Sequence, residues 1–262
     1  MNELRPQSRA AEFWDELRLS TQARIGLGRA GDALPTHRVL EFRSAHAAAR
    51  DAVHMPLDID LFTSHVERVG IGAPVVVTSR AGTRAEYLRR PDLGRVPEDL
   101  SSITAGDYDL VFVLGDGLSP RALMDHGAAM LEALVAELSD TYLIAPPVIA
   151  TQARVALGDH VADAMGARTV VVLIGERPGL SVADSLGIYL THLPGPDTSD
   201  ADRNCISNIH PPGGSGYTQS AKVVAGLVAG ARASGRSGVA LKDTSRAEIL
   251  EAVDGQSTPI RG

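Results

Sequence analysis

The segment TVVVLIGERPGL, from Thr169 to Leu180, constrains the fold more than any other part of the sequence. Its first six residues, 169–174, show no alternation and are rich in β-branched side chains, which is typical of a parallel strand covered by helices on both faces. Ligands of open α/β sheets bind outside the carboxyl ends of the strands. The turn GERPG at 175–179 follows such an end, and its glycines let backbone approach a ligand. The segment predicts a ligand site here, while a solvated loop stays the alternative.

A second segment has the pattern of a strand, a turn and a helix. Residues 109–114, DLVFVL, read as a buried strand that leads through GDGLSP at 115–120 into a helix ending near Leu138. Ser119 is a suitable N-cap, and Pro120 suits the first helical position. The free N–H groups of that terminus would suit a phosphate or a carbonyl, but the dipole contributes only about 0.3–1 kcal/mol. Other loops or another chain must therefore contribute to binding.

The remaining strands and helices complete an α/β pattern. The fold class that we predict is a Rossmann-like parallel sheet flanked by helices, with an N-terminal helical extension. Further strands are expected at 73–78 and at either 142–144 or 148–151, with helices at 156–166 and 218–233.

The segments after the central strand are rich in polar residues. We expect a helical turn plus a short strand at 184–191 and a polar loop at 194–202. Residues 203–210, RNCISNIH, lead into the glycine-rich turn at 211–216. Their amide and hydroxyl side chains suit hydrogen bonding to a polar ligand, and a capped turn is the alternative.

The N-terminal residues have the pattern of a docking extension. Phe13, Trp14 and Leu17 share an apolar face of a short amphipathic segment. Thr36 is expected to cap a following helix, and GLGRAG at 26–31 is not a dinucleotide motif because no strand precedes it. We predict a helical, partner-docking extension at 1–70, a Rossmann-like ligand-binding domain at 71–243 and a C-terminal tail at 244–262, with a marginal helix at 245–253.

Composition excludes several classes of function. The 262 residues carry a formal net charge of -7, which argues against a sequence-independent nucleic-acid binder. There is no secretory signal and no membrane-spanning run, so a cytoplasmic protein is expected. The single cysteine, Cys205, excludes an internal disulfide and a thiolate zinc site. Three arginines, Arg89, Arg90 and Arg95, are a candidate surface for an anion or a partner.

Several long blocks together resemble the small subunit of ethanolamine ammonia-lyase. They are STQARIGLGRAG, EYLRRPDLGR, GDGLS, QARVALGD, IGERPGLSVADSLGIYLT, DADRNCISNIHPPGG and SGVALKD, and their order and spacing agree from roughly Leu17 to Asp243. The resemblance implies an adenosylcobalamin-dependent lyase that converts ethanolamine to acetaldehyde and ammonia through radicals. It also implies a partner, the large catalytic subunit, which holds the substrate while the small subunit closes over the corrin at the interface.

The resemblance places cobalamin contacts on Val155, Glu176 and Cys205, and no catalytic or metal-ligating residue on this chain. Glu176 would accept N–H groups from the corrin-rim amides, and Val155 would offer apolar surface or backbone. Cys205 is expected to pack rather than to react as a thiolate. The signature D-x-H-x-x-G is absent, which agrees with a base-on cofactor that keeps its dimethylbenzimidazole ligand.

Two other functions stay open at this point. One is a free-standing nucleotide-binding enzyme, suggested by GDGLSP, and the other is a purely structural partner subunit. Relatives in ethanolamine microcompartments often carry a longer N-terminal targeting segment, whereas family-like sequence here begins within twenty residues. We therefore expect a cytoplasmic location rather than encapsulation in a bacterial microcompartment.

Overall fold

In the computed structural model, which describes residues 9–195 and 197–241, a six-stranded sheet is covered by helices on both faces. The strands are β1 (Val75–Thr78), β2 (Tyr108–Gly115), β3 (Val148–Thr151), β4 (Ala167–Gly175), β5 (Leu186–His192) and β6 (Asn204–Ile209). The helices are α1 (Arg9–Arg18), α2 (Thr36–His54), α3 (Ile59–Glu67), α4 (Arg84–Arg89), α5 (Pro120–Leu138), α6 (Leu157–Met165) and α7 (Tyr217–Ser234).

The strand order is β1-β3-β2-β4-β5-β6, and the sheet is mixed. Strands β1 to β4 are mutually parallel, whereas β5 is antiparallel to both β4 and β6. The α/β prediction is confirmed, but the predicted parallel sheet is limited to the first four strands. The reason is the connection from β4 to β5, at residues 176–185, which contains no helix. A parallel neighbour would need a crossover of a dozen or more residues.

Strand β2 shows why the central strands lack a polar face. Leu110, Phe112 and Leu114 pack on the side of α5 and α7, while Val111 and Val113 pack on the side of α6. All five side chains are at most 1 % exposed. Burying each one contributes roughly 1.5–3 kcal/mol. Both faces of the strand are therefore core, as the unbroken apolar runs predict.

The helix signals in the sequence are confirmed at α5 but not at α2. The Ser119 hydroxyl accepts a hydrogen bond from the N–H of Ala122 at 3.2 Å, and Pro120 is the first residue of α5. The prediction that Thr36 caps α2 is wrong, because Thr36 is already helical and the preceding Pro35 makes no side-chain cap. Between the two possible third strands, 148–151 forms β3.

The polar region before α7 differs from the prediction. Residues 204–209, for which we predicted no strand, form the edge strand β6, and 186–192 form one continuous strand without a helical turn. The strand can keep polar side chains because Ser207 and Asn208 are exposed to solvent at the edge of the sheet. The predicted helix at 245–253 and the tail from 244 lie outside the described residues. The docking role of residues 1–70 stays a prediction.

None of the helices in the described ranges is long and apolar enough to cross a lipid bilayer.

Candidate functional site

The turn after β2 packs directly on the end of β4. The N–H of Leu118 donates to the carbonyl oxygen of Gly175 at 2.9 Å. A Cβ atom on Gly175 would lie 2.1 Å from the Ser119 carbonyl oxygen, and one on Gly117, whose φ is 56°, would lie 2.3 Å from that of Gly175. Only glycine allows this approach of backbone to backbone.

This packing removes most of the basis for a phosphate site at the GDGLSP turn. Ser119 and Pro120 are buried, and the Ser119 hydroxyl donates to the carbonyl oxygen of Ala183 at 2.9 Å. The N–H of Leu118 is already bonded to Gly175. These hydrogen bonds are made within the chain. The turn therefore packs against the end of β4 instead of presenting free donors to a ligand.

Two adjoining cavities lie at the carboxyl ends of the parallel strands. The first cavity, of about 300 Å³, is lined by Tyr87, Gly117, Leu118, Arg154, Val155, Ile174, Gly175, Glu176, Arg177 and Tyr189. The second cavity, of about 340 Å³, is lined by Arg95, Arg154, Val155, Ala156, Tyr189, Asp200, Arg203 and Cys205. Both cavities share Arg154, Val155 and Tyr189, so one continuous surface carries them. A cavity of about 350 Å³ shares Arg95 and Ala156 with the second cavity but contains none of Arg154, Val155 and Tyr189, and one of about 360 Å³ lies at the end of β5.

All three residues singled out in the sequence line this shared surface. Val155 borders both cavities, Glu176 borders the first and Cys205 borders the second. Val155 follows β3 and Glu176 follows β4, as expected for residues at strand ends. Cys205 differs from that expectation because it lies within β6.

Glu176 is held in place by contacts with the start of β5 and the end of β6. Its backbone N–H donates to the carbonyl oxygen of Ser185 at 3.0 Å, and its Oε2 accepts the N–H of Asn208 at 3.1 Å. Its Oε1 lies 3.1 Å from the point where Gly187 would carry a Cβ atom. The carboxylate is half-buried and keeps free lone pairs, so it can accept further N–H groups.

A buried carboxylate fixes the turn that presents Arg154 and Val155. The two oxygens of Asp116 accept the N–H groups of Gln152 at 2.9 Å and Ala153 at 3.0 Å. Gln152 has φ 52°, an uncommon value for a residue with a side chain. Burial raises the pKa of Asp116, whereas these hydrogen bonds and the Arg84 guanidinium, 3.6 Å away, oppose the rise. Asp116 therefore fixes the backbone of this turn, and we call its two hydrogen bonds to Gln152 and Ala153 the Asp116 clamp.

Two guanidinium groups lie over the ring of Tyr87, which lines the first cavity. Arg154 stacks over its ring at 4.3 Å from the centroid, and Arg84 does so at 4.7 Å. The Tyr87 hydroxyl donates to the Ala153 carbonyl oxygen at 3.0 Å, and burial raises its pKa. The aromatic ring and the clamp together orient the Arg154 side chain.

Cys205 and Tyr189 face each other across β5 and β6. Desolvation raises the pKa of the Cys205 thiol, with the nearby Glu176 charge acting in the same direction and a hydrogen bond with Tyr189 opposing it. Desolvation and the charge of Cys205 raise the pKa of Tyr189 to about 12. Both groups are therefore neutral near pH 7. Cys205 is exposed on this chain, so it is available for contact with a bound group instead of being packed in the core.

A buried ion pair between Arg203 and Asp159 lies at the wall of the second cavity. The Arg203 guanidinium donates to both Asp159 oxygens at 2.7 Å and to the Thr191 hydroxyl at 2.9 Å. Its side chain is only 2 % exposed, and that of Asp159 is 11 % exposed. The pair ties α6 to β5 and to the start of β6. The sequence shows the RNCISN block but not this partner, which is 44 residues away.

The proposed arginine surface is partly neutralised. Arg90 pairs with Asp92 at 2.6 Å, and Arg95 lies 3.7 Å from Asp200. Arg89 donates to the carbonyl oxygen of Ala85 within its own helix. The group therefore does not present three unpaired charges. Within the described ranges no cluster of three His, Cys, Asp or Glu side chains is arranged to hold a metal ion.

Comparison with known proteins gives a consistent result over almost the whole chain. The sequence model for "Ethanolamine ammonia-lyase light chain (EutC)" matches residues 11–242. The chain is 69% identical over 244 residues to the ethanolamine ammonia-lyase small subunit of Rhodococcus erythropolis, covering 93% of this chain and 95% of that protein. Small subunits from Rhodopseudomonas palustris strain BisA53 (47% identity, 93% and 95% covered) and Pseudomonas syringae pv. tomato (41%, 97% and 91%) are also similar.

Proposed function

This chain belongs to the ethanolamine ammonia-lyase light chain family, and we propose that it forms one wall of an adenosylcobalamin site at the interface with a large catalytic subunit. The reaction of the assembled enzyme is the conversion of ethanolamine to acetaldehyde and ammonia. The observation that carries the proposal is the shared surface at the carboxyl edge of the sheet, where Val155, Glu176 and Cys205 meet around two adjoining cavities.

The residues of this surface fit the chemistry of a corrin. A corrin rim carries amide groups, which need acceptors, and the fixed Glu176 carboxylate offers lone pairs beside the first cavity. Val155 supplies apolar surface between the cavities, and the neutral Cys205 thiol supplies a soft packing contact.

The size of the cavities supports a shared site. Each cavity has a volume at the lower end of the range of roughly 300–1,000 Å³ that small-molecule sites occupy. A macrocycle is larger than either cavity. The chain would thus cover one side of the cofactor, while the large subunit covers the other side and holds ethanolamine.

The role of this chain is to bind and to orient. When bound, adenosylcobalamin supplies carbon-centred radical chemistry that amino-acid side chains lack. The residues of this chain accept rim amides at Glu176, exclude water along Val155 and keep the site rigid through the Asp116 clamp. None of these roles needs a proton transfer by this chain.

Reconstitution tests the proposal. The purified chain is mixed with its large subunit, and acetaldehyde release from ethanolamine is measured with and without adenosylcobalamin. We expect activity only when both chains and the cofactor are present. Activity of the large subunit and cofactor without this chain, or no activity from a properly assembled complex, would contradict it.

Substitutions at Glu176 separate a cofactor role from a purely structural one. Glu176→Ala should weaken cobalamin binding to the assembled complex about tenfold, because a charged acceptor of amide N–H groups is lost. Glu176→Gln should have a smaller effect. The control is Glu137→Gln, an exposed carboxylate near the other end of α5. Normal assembly with unchanged cobalamin affinity in Glu176→Ala would favour the structural partner role.

A further inference from the structure

We propose that Arg154 is the anion-binding residue of this site and that it contacts the phosphodiester in the nucleotide loop of a base-on cobalamin. The inference rests on the proposed function and extends it from the corrin rim to the charged part of the cofactor. It is carried by the placement of the Arg154 guanidinium and by the carboxylates around it.

Arg154 lies at the centre of the shared surface. It borders both cavities, and its backbone N–H donates to the Gly94 carbonyl oxygen at 2.8 Å. The guanidinium lies over the Tyr87 ring, and its only side-chain hydrogen bond within the described part of the chain is a long one, 3.5 Å, to the Tyr87 carbonyl oxygen. Its Nε is buried and has no hydrogen-bond partner among the described residues.

Three of the neighbouring arginines have carboxylate partners. Arg84 lies 3.6 Å from Asp116, Arg95 lies 3.7 Å from Asp200, and Arg203 is bonded to Asp159 at 2.7 Å. In the described part of the chain, no carboxylate lies within 4.0 Å of a nitrogen of Arg154. Arg154 is therefore a fixed, half-buried cation whose charge is not balanced by an adjacent anion.

Arg177 on the rim of the first cavity is the main alternative. It also makes no ion pair among the described residues, but it is exposed and lies in the turn after β4. An exposed charge is screened by water and salt, so it contributes little to affinity. Arg154 is the better candidate for the anion contact because its contact with the Tyr87 ring fixes the position of the guanidinium.

The chemistry of the two groups is complementary. A phosphodiester carries one negative charge and two free oxygens, and a planar guanidinium can donate to both of them at once. Stacking on an aromatic ring orients the guanidinium before binding, so less conformational entropy is lost when the ion pair forms. A lysine ammonium offers neither the paired donors nor the stacking.

The test compares two ligands that differ at the proposed contact. Adenosylcobalamin contains the phosphodiester, whereas adenosylcobinamide lacks the nucleotide loop. Dissociation constants for both are measured with the complex of this chain and its large subunit, carrying either the original residue or Arg154→Gln. We expect Arg154→Gln to weaken adenosylcobalamin binding about ten- to a hundredfold and to leave adenosylcobinamide binding within about twofold.

Two further variants complete the design. Arg154→Lys should recover part of the lost affinity for adenosylcobalamin, since it keeps the charge. Arg168→Gln, an exposed arginine at the opposite end of β4, is the control and should change neither constant. If Arg154→Gln does not assemble, the same ligand comparison is made with Arg154→Lys, for which a several-fold loss confined to adenosylcobalamin is expected.

The outcomes separate this inference from the proposed function. Equal losses of affinity for both ligands in Arg154→Gln would overturn the inference, because Arg154 would then act only by shaping the turn. An unchanged dissociation constant for adenosylcobalamin would overturn it as well. If adenosylcobinamide binds too weakly to measure, the salt dependence of adenosylcobalamin binding decides, and equal slopes for the unsubstituted and Arg154→Gln complexes would overturn the inference. A complex with the original Arg154 that does not bind cobalamin would overturn the proposed function itself.

Discussion

The Oε2 atom of Glu176 accepts a hydrogen bond from the backbone N–H of Asn208 at 3.1 Å, which ties the end of β4 to the end of the edge strand β6. Asn208 has φ 62°, so its backbone adopts the left-handed conformation at this point. The carboxylate is thus oriented before any ligand arrives. Orientation in advance lowers the ordering cost of binding.

Gly187→Ala should disturb this carboxylate without unfolding the protein. A Cβ atom at Gly187 would lie 3.1 Å from Oε1 and 3.2 Å from Cγ of Glu176, which forces the side chain to shift by a few tenths of an ångström. We expect cobalamin affinity of the assembled complex to fall several-fold with little change in Tm. Gly195→Ala is the control, since a Cβ there meets no atom of the described residues within 4 Å. An unchanged affinity in Gly187→Ala would mean that the orientation of Glu176 is unimportant.

Asp116→Asn should destabilise the turn that presents Arg154. Each Asp116 oxygen accepts a backbone N–H, and an asparagine NH₂ group would face one of these donors with a donor of its own. The free energy of unfolding should therefore fall by about 1–3 kcal/mol. Urea denaturation of the purified protein measures this change, with Asp107→Asn, an exposed carboxylate, as the control. Equal stability of both variants would show that Asp116 does not clamp the turn.

His126 should make stability depend on pH in the weakly acidic range. Burial lowers its pKa, although the charges of Asp184 and Asp125 oppose the shift. Its Nδ1 lies 2.7 Å from the Tyr217 hydroxyl, and its Nε2 is buried without a hydrogen-bond partner among the described residues. The unfolded chain therefore binds a proton at higher pH than the folded chain does, so stability is lost as pH falls below about 6.5.

Thermal denaturation at several pH values between 7.5 and 5.5 checks this. His126→Gln can keep the bond to Tyr217 but cannot titrate, so its Tm should fall less on acidification than that of the unsubstituted chain. Burial also lowers the pKa of His192, so part of the pH dependence should remain. Identical profiles for the variant and the original chain would contradict the prediction.

Cys205 should react slowly with alkylating reagents and be shielded by the cofactor. Its thiol pKa is raised above the ordinary value of 9.0, so little thiolate is present at pH 7. As the only cysteine of the chain it gives one unambiguous peptide in mass spectrometry. Alkylation should still accelerate above pH 9, and adenosylcobalamin bound to the complex should slow it. Equal alkylation rates with and without the cofactor would place Cys205 outside the site. The variant Cys205→Ala should keep most of the activity of the complex.

The family resemblance, not the strand pattern, singles out Val155 and Glu176. The strand pattern explains why they lie close together, because Val155 follows β3, Glu176 follows β4, and parallel strands share one carboxyl edge. The α5 cap at Ser119 is equally local, since a cap depends on residues within one turn of helix.

The rest depends on contacts that no local pattern reveals. Strand β6 lies at the edge of the sheet and half of its six side chains are exposed, so its polar sequence resembles that of a loop. Asp116 finds its partners 36 and 37 residues away, at Gln152 and Ala153. Arg154 stands out from the other arginines only after their carboxylate partners are known. Such pairings depend on the finished sheet, not on spacing along the chain.

Arg203→Met tests how much the buried ion pair between Arg203 and Asp159 contributes to the free energy of unfolding. It removes both hydrogen bonds to Asp159 and leaves that carboxylate, 11 % exposed, without a counter-charge. Breaking a buried pair from one side typically costs about 3–5 kcal/mol, so we expect a loss of that order in the free energy of unfolding. The double variant Arg203→Met with Asp159→Leu replaces both charges by apolar groups and should recover much of the loss, because no uncompensated charge remains. Denaturant unfolding of the two single variants and the double variant gives the coupling free energy between these residues. Additive losses in the double variant would show that Arg203 and Asp159 stabilise the fold independently and that the pair does not join α6 to the sheet.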